Sequence, residues 1–245
     1  MTPKTDLPDT DREDATDPQI DDFPDAIADG AVVLLAGTVD PATSGLCLRA
    51  LSQCDDGDGT AVVVTTTEGA AETVRRYRRA YPPEGTPELR LVDAASQQYV
   101  SALYRDVPTV SLPRADDLER LVLALSDLTD ASVPSAGRRH LVVRSLGPLL
   151  ESTPASRVST VLERIAGLRT ESGLALFGFD YTAHDEATLN ELAAAVDAIV
   201  WATRRRDGEI RLKLQSTQSL LHSEGSSGRS VDRRGSEDTW SESQK

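Results

Sequence analysis

Ala31-Val32-Val33-Leu34-Leu35-Ala36-Gly37-Thr38-Val39-Asp40-Pro41-Ala42-Thr43-Ser44 is the stretch on which the reading of the fold turns. Its apolar run is far too short to span a bilayer and lacks the alternation of a half-solvated strand, so it reads as a strand covered on both faces. The glycine opens a turn, and the periodicity beyond it predicts a helix over Ser44 to Gln53. Working outward, the same alternation continues. Short apolar runs predict strands at Ala61 to Thr66, Leu89 to Val92, His140 to Arg144, Leu174 to Phe179 and Ala198 to Ala202. Helices are predicted over Ala70 to Ala80, Ala115 to Leu128, Pro154 to Thr170 and Glu186 to Ala195. Leu118, Leu121, Val122 and Leu125 illustrate the spacing of three and four that places apolar groups on one helix face. An Asp207-Gly208 turn should send Glu209 to Leu214 back antiparallel to the strand before it. The expected fold class is therefore α/β, a mostly parallel sheet flanked by helices with a C-terminal antiparallel hairpin, and no internal repeat.

A buried strand, a glycine turn and a helix, in that order, form the layout in which backbone N–H groups cradle phosphates. Set against the phosphate-loop pattern G-x-x-x-x-G-K-[ST], Gly37 and Ser44 fit, but Ala42 replaces the second glycine and Thr43 replaces the lysine. Threonine cannot supply the charge that lysine brings to the β- and γ-phosphates. Asp40 adds a negative charge inside the loop, and Pro41 deletes one donor N–H.

Local phrases elsewhere point the same way: Val63-Val64-Thr65-Thr66-Thr67-Glu68 after the second predicted strand, Leu91-Val92-Asp93 at the third, and Val196-Asp197-Ala198-Ile199-Val200 at the sixth. The fourth gives Leu141-Val142-Val143-Arg144-Ser145-Leu146-Gly147-Pro148-Leu149-Leu150. With these phrases in this order, residues 28 to 217 resemble the KaiC- and RadA-like branch of the RecA-superfamily ATPases, and in particular its degenerate haloarchaeal members. The resemblance implies a RecA-like fold and identifies the positions that carry chemistry in active relatives. There the fourth phrase ends its strand in Asp-Ser, the Asp organising Mg²⁺; Arg144 and Ser145 stand in those places. Glutamates after the second strand activate water in the relatives, and at most one of them, Glu68 after Thr67, survives. The Lys-x-Arg finger of the last strand corresponds to Gln215-Ser216-Thr217, which lacks both charges.

Losing the loop lysine, the metal aspartate and the finger together removes the groups that stabilise a transferring phosphoryl group. The expectation is a non-enzymatic regulatory or scaffold protein of archaeal signalling or transcriptional control, acting on protein partners or further copies of itself. No metal and no cofactor are expected, although weak binding of ATP or another anion by the backbone of Gly37 to Ser44 is compatible with the sequence. Two alternatives remain: a nucleotide-binding switch without turnover, and a RadA-related recombination accessory protein touching DNA through Arg204, Arg205 and Arg206. That arginine run lies at the carboxyl edge of the predicted sheet, where ligands of such folds dock. It equally fits a solvated hairpin whose guanidiniums pair with nearby carboxylates.

Composition narrows the partners. The 245 residues carry 26 Lys and Arg against 40 Asp and Glu, a net charge of -14 that disfavours nucleic acid and anionic membranes as default partners. Lys4, Lys213 and Lys245 are the only lysines. This bias resembles haloarchaeal proteins, because molar salt shortens the screening length to about 3 Å and makes a carboxylate-dense surface tolerable. No apolar run reaches the roughly 18 residues of a membrane span and Met1 to Ile20 holds no hydrophobic signal core, so the expected location is the cytoplasm.

Residues 1 to 25 and 218 to 245 lack periodic apolar residues and are expected to be disordered tails, acidic at the front and Ser-, Glu- and Arg-rich at the back, with Trp240 as a stray aromatic. Cys47 and Cys54, seven residues apart on one predicted helix, lie about 10 Å apart along its axis and read as packing residues rather than a disulfide. His140, His184 and His222 show no metal-ligand spacing. Thr182, His184, Asp185 and Glu186 read as helix-capping groups, and Asp93 and Asp180 as strand-ending turn or cap formers.

Overall fold

The computed structural model describes residues 23–27, 29–41, 43–55, 57, 59–81, 84–95, 106–130 and 137–217. Ala42, His222, Trp240 and almost all of both expected tails lie outside these residues. Eight strands form one sheet: β1 (Val32–Gly37), β2 (Gly59–Thr65), β3 (Glu88–Asp93), β4 (Thr109–Ser111), β5 (Arg138–Val143), β6 (Ala175–Asp180), β7 (Ala198–Arg204) and β8 (Ile210–Ser216). Their order across the sheet is β4-β3-β2-β5-β6-β1-β7-β8, and every pairing is parallel except β7 with β8.

Helices cover both faces. The first two, α1 (Leu46–Cys54) and α2 (Ala70–Ala80), lie on one side; α3 (Leu118–Thr129), the single-turn α4 (Gly147–Leu150), α5 (Ala155–Ala166) and α6 (Glu186–Ala193) lie on the other. Because side chains alternate along a strand, β1 divides between two cores. Val33 and Leu35 pack with Leu48, Leu51 and Val74, whereas Val32, Leu34 and Ala36 join Leu121, Leu162 and Leu192. Burial on both faces explains why the strands read as continuous apolar runs.

The chain leaves β1 through α1 on one face and reaches β2, three places away. The later link from β6 through α6 runs on the opposite face and crosses to β7 beyond β1. Diverging connections around a central strand open a crevice at its carboxyl end. The turn after Gly37 sits there.

Element ends differ from the periodicity where capping intervenes. The first helix begins at Leu46, not Ser44, because Gly45 precedes it at φ 63°, a left-handed conformation suited to glycine. Asp117 accepts from the Arg120 N–H and starts α3 at Leu118 rather than Ala115. The helix expected to reach Thr170 stops at Ala166, where Gly167 follows. One strand, β4, has no counterpart among the predicted ones. It is a three-residue edge strand, exposed or half-buried throughout and bracketed by Pro108 and Pro113, so it carries no apolar signal. At the front, Phe23 is buried in the α1/α2 core and its N–H donates to Gln53 Oε1, so packing begins before residue 28.

The cysteines are packing residues. Burial pushes both thiols up to about 12, aided at Cys54 by the Asp55 carboxylate and opposed at Cys47 by Arg144. Both therefore stay protonated in the folded chain. A disulfide reagent at pH 8 is expected to react at least tenfold more slowly with native protein than with protein in guanidinium, where both thiols titrate normally; equal rates in the two states would refute this.

Candidate functional site

The loop between β1 and α1 is closed on itself. Gly37 lies against β7, where a Cβ would stand 1.9 Å from the Ala202 carbonyl oxygen, and the Thr38 N–H donates to that oxygen at 3.2 Å. Asp40 offers its backbone oxygen to both the N–H of Ser44 (3.1 Å) and its hydroxyl (2.7 Å). Val39 and Pro41 are buried while Thr38 and Thr43 are exposed. The Pro41 ring covers β6 at Gly178, where a Cβ would lie 2.8 Å from Pro41 Cβ and 2.2 Å from the Arg144 oxygen. The side-chain and backbone donors that Ser44 would turn to a phosphate are thus spent inside the loop.

Arg144 follows β5 directly and extends its ladder, its N–H donating to Val64. Its side chain is only 1% exposed. One guanidinium nitrogen donates to Glu68 Oε2 at 2.7 Å and another to Thr73 Oγ1 at 2.7 Å. Glu68 also receives a two-pronged bond from Arg76, Nε to Oε2 at 3.0 Å and Nη2 to Oε1 at 3.1 Å, and Arg76 Nε lies 3.2 Å from Glu72. Two guanidiniums therefore clamp one carboxylate and offset its charge. Ser145 is buried, its carbonyl accepting from the Thr66 hydroxyl at 2.7 Å.

The structure thus joins Glu68 with Arg144 and stacks Pro41 over Gly178 beside Arg144. The arginine run stands apart from them on the hairpin. Arg204 ends β7, while Arg205 and Arg206 enter the turn; all three are exposed. Arg205 Nη1 lies 3.5 Å from Glu209, the pairing expected of a solvated hairpin.

Of the expected capping groups, Asp93, Asp180 and Asp185 act as such, whereas Thr182 donates to Asp180 and His184 does not cap α6. Asp93 is buried and accepts from the N–H groups of Ala70, at the start of α2, and Ala95. Asp180 accepts from Thr182, and Asp185 caps α6 by accepting from the Thr188 hydroxyl and N–H, bonds that hold its carboxyl below the usual range. His184 stacks on Phe179. His140 proves structural: its Nδ1 accepts from the Leu174 N–H, and its Nε2 lies 3.7 Å from the buried carboxylate of Asp55.

Thr73 and Arg76 complete the site and were not anticipated. Arg76 had a legible signal, since Glu72 and Arg76 sit one helical turn apart on α2. Thr73 had none. Among the described residues, no cluster of three or more His, Cys, Asp or Glu has metal-holding geometry, and no helix is long and apolar enough to cross a membrane.

No curated protein matches the sequence. Among solved structures, the chain is similar to the uncharacterised protein PH0321 from Pyrococcus horikoshii, crystallised in complex with an unknown peptide. The likeness has 13% identity and a TM-score of 0.53, and covers 78% of this chain and 84% of that one. Structural matches extend to 331 chains, so the architecture alone selects no activity. In sequence, residues 30–202, which hold the loop, Glu68 and Arg144, match a single family profile, and the chain belongs to that family, the family of unknown function DUF7504.

Proposed function

We propose that this chain is a non-catalytic RecA-like domain, related to the KaiC and RadA branch, that works as a regulatory or scaffold protein in the cytoplasm of a salt-adapted archaeon. The observation that carries this reading is Arg144, buried and bonded to Glu68 and Thr73 at the position where active relatives hold their metal-binding aspartate. A cation there repels Mg²⁺ and neutralises the one carboxylate left to activate water. The self-satisfied loop supports the same reading, because neither N–H nor hydroxyl of Ser44 faces outward for a phosphate. Protein partners, in signalling or transcriptional control, are the proposed ligands. The peptide carried by the Pyrococcus protein is in keeping with that class.

Calorimetric titration of the full chain with Mg-ATP in molar KCl, paired with a phosphate-release assay, tests the proposal. No heat at millimolar nucleotide and no phosphate above the buffer rate are expected. Micromolar affinity without turnover would replace the proposal with a nucleotide switch, and turnover would replace it with an ATPase.

A further inference from the structure

The sheet ends in two edges of opposite character. At one, β4 is three residues long and bracketed by prolines. At the other, β8 runs for seven residues without proline or bulge, paired one to one with β7 from Ala198 with Ser216 to Arg204 with Ile210. An edge of that length and regularity is a template for a further strand.

The pairing fixes which groups the edge offers. The Arg205 N–H donates to the Glu209 oxygen and the Thr217 N–H to the Asp197 oxygen, so the odd-numbered residues of β8 turn their main-chain groups toward β7. Because an antiparallel ladder alternates, Leu212 and Leu214 turn their N–H and C=O groups away from the sheet. Both leucines are half-buried, with side chains against the α1/α2 core, whereas Arg211 and Lys213 stand exposed on the other face. Ile210 is fully buried and adds nothing to the edge.

Charge then selects the strand that can pair there. Residues 204–213 hold five cations, Arg204, Arg205, Arg206, Arg211 and Lys213, against Asp207 and Glu209, in a chain whose net charge is -14. Glu209 lies beside Arg205, and among the described residues no carboxylate forms an ion pair with Arg211 or Lys213. A second copy paired antiparallel through Leu212 would set Arg211 of one chain against Lys213 of the other, and like charges directly opposite are unfavourable. Nucleic acid presents no row of amide donors and carbonyl acceptors at strand spacing.

We propose that β8 is a docking edge for an extended acidic segment of another protein, which adds a strand to the sheet with carboxylates opposite Arg211 and Lys213 and apolar side chains beside Leu212 and Leu214. Main-chain bonds hold the segment, and charge chooses it. The edge gives the proposed scaffold role a surface, and it stands whether or not the β1 loop binds nucleotide.

The test uses the full chain in the lowest KCl that keeps it folded, with a synthetic Glu-Val-Glu-Val-Glu-Val-Glu peptide as probe. Its comparisons are the Lys-for-Glu peptide, versions N-methylated on either the Val or the Glu amides, and an oligothymidylate. The acidic peptide is expected to bind at least tenfold more tightly than the basic one or the oligonucleotide, and one of the two methylated versions should lose at least tenfold in affinity. Residue-resolved hydrogen exchange at Leu212 and Leu214 should slow on binding. The double substitution Arg211→Glu, Lys213→Glu should invert the preference between the two peptides; if its melting midpoint falls, the peptide comparisons on the unaltered chain decide. Protection of Leu212 and Leu214 already in the free chain, no peptide binding, equal affinity for both charges, full binding by both methylated versions, or tighter binding of the oligonucleotide would each overturn the proposal.

Discussion

Replacing Glu68 by Ala is expected to destabilise the fold by about 3 to 5 kcal/mol, and replacing its partner Arg144 by Met by only about 1 kcal/mol. The asymmetry follows from who remains paired. Without Glu68, the guanidinium of Arg144, 1% exposed, faces the positive charge of Arg76 with no carboxylate between them. A buried charge that loses its carboxylate recovers less of its desolvation cost. Without Arg144, Glu68 keeps its two-pronged bond to Arg76 and 19% of its side chain remains open to water. Methionine fills most of the vacated volume without bringing a charge, leaving chiefly the Thr73 hydroxyl to find a new partner. Urea unfolding of the two single variants and the double variant forms a cycle whose coupling should be about 2 to 3 kcal/mol. Equal losses in the two single variants with no coupling would mean that water screens the pair and that Arg144 is a solvated arginine.

The sheet was legible because its strands are buried on both faces and so appear as unbroken apolar runs; Val62 to Val64 and Leu141 to Val143 show no alternation to confuse with a loop or a helix. The ends of α1 and α3 were not, since they are set by Gly45 and Asp117, local groups whose effect depends on backbone conformation rather than on pattern. The half of the site written as substitutions in a motif, Thr43 for lysine and Arg144 for aspartate, was readable one residue at a time. What those residues touch was not. That Arg144 reaches Thr73 depends on where the fold sets α2 relative to the residue that follows β5, a relation between residues 71 apart that no periodicity encodes. The packing of Pro41 on Gly178 is hidden for the same reason. A proline in a loop reads as a lost N–H donor, and only the fold shows that its ring also fills space.

That filled space sets the second large effect. Gly178→Ala is expected to cost about 3 kcal/mol, the upper end of ordinary overpacking, because the new methyl group would meet the Arg144 carbonyl oxygen at 2.2 Å and the Pro41 ring at 2.8 and 2.9 Å. A flexible side chain could turn aside, but the carbonyl oxygen is backbone and the proline ring is held between the Asp40 turn and β6. Relief therefore requires moving the loop or the end of β5. Adding Pro41→Gly to Gly178→Ala should recover little, since the carbonyl contact persists. Melting curves of the single and double variants measure this, and a loss below about 1 kcal/mol for Gly178→Ala would show a loop loose enough to admit a ligand. The same contacts bear on the proposed absence of nucleotide binding. Ala42→Gly, Thr43→Lys and Arg144→Asp would rewrite the motif, yet Pro41 would still cover Gly178, and the new aspartate would face Glu68 as a second carboxylate. Calorimetry on that triple variant is expected to find no Mg-ATP affinity below millimolar, because under the proposed reading Pro41 fills the loop's space by packing, and a motif repairs only the charge.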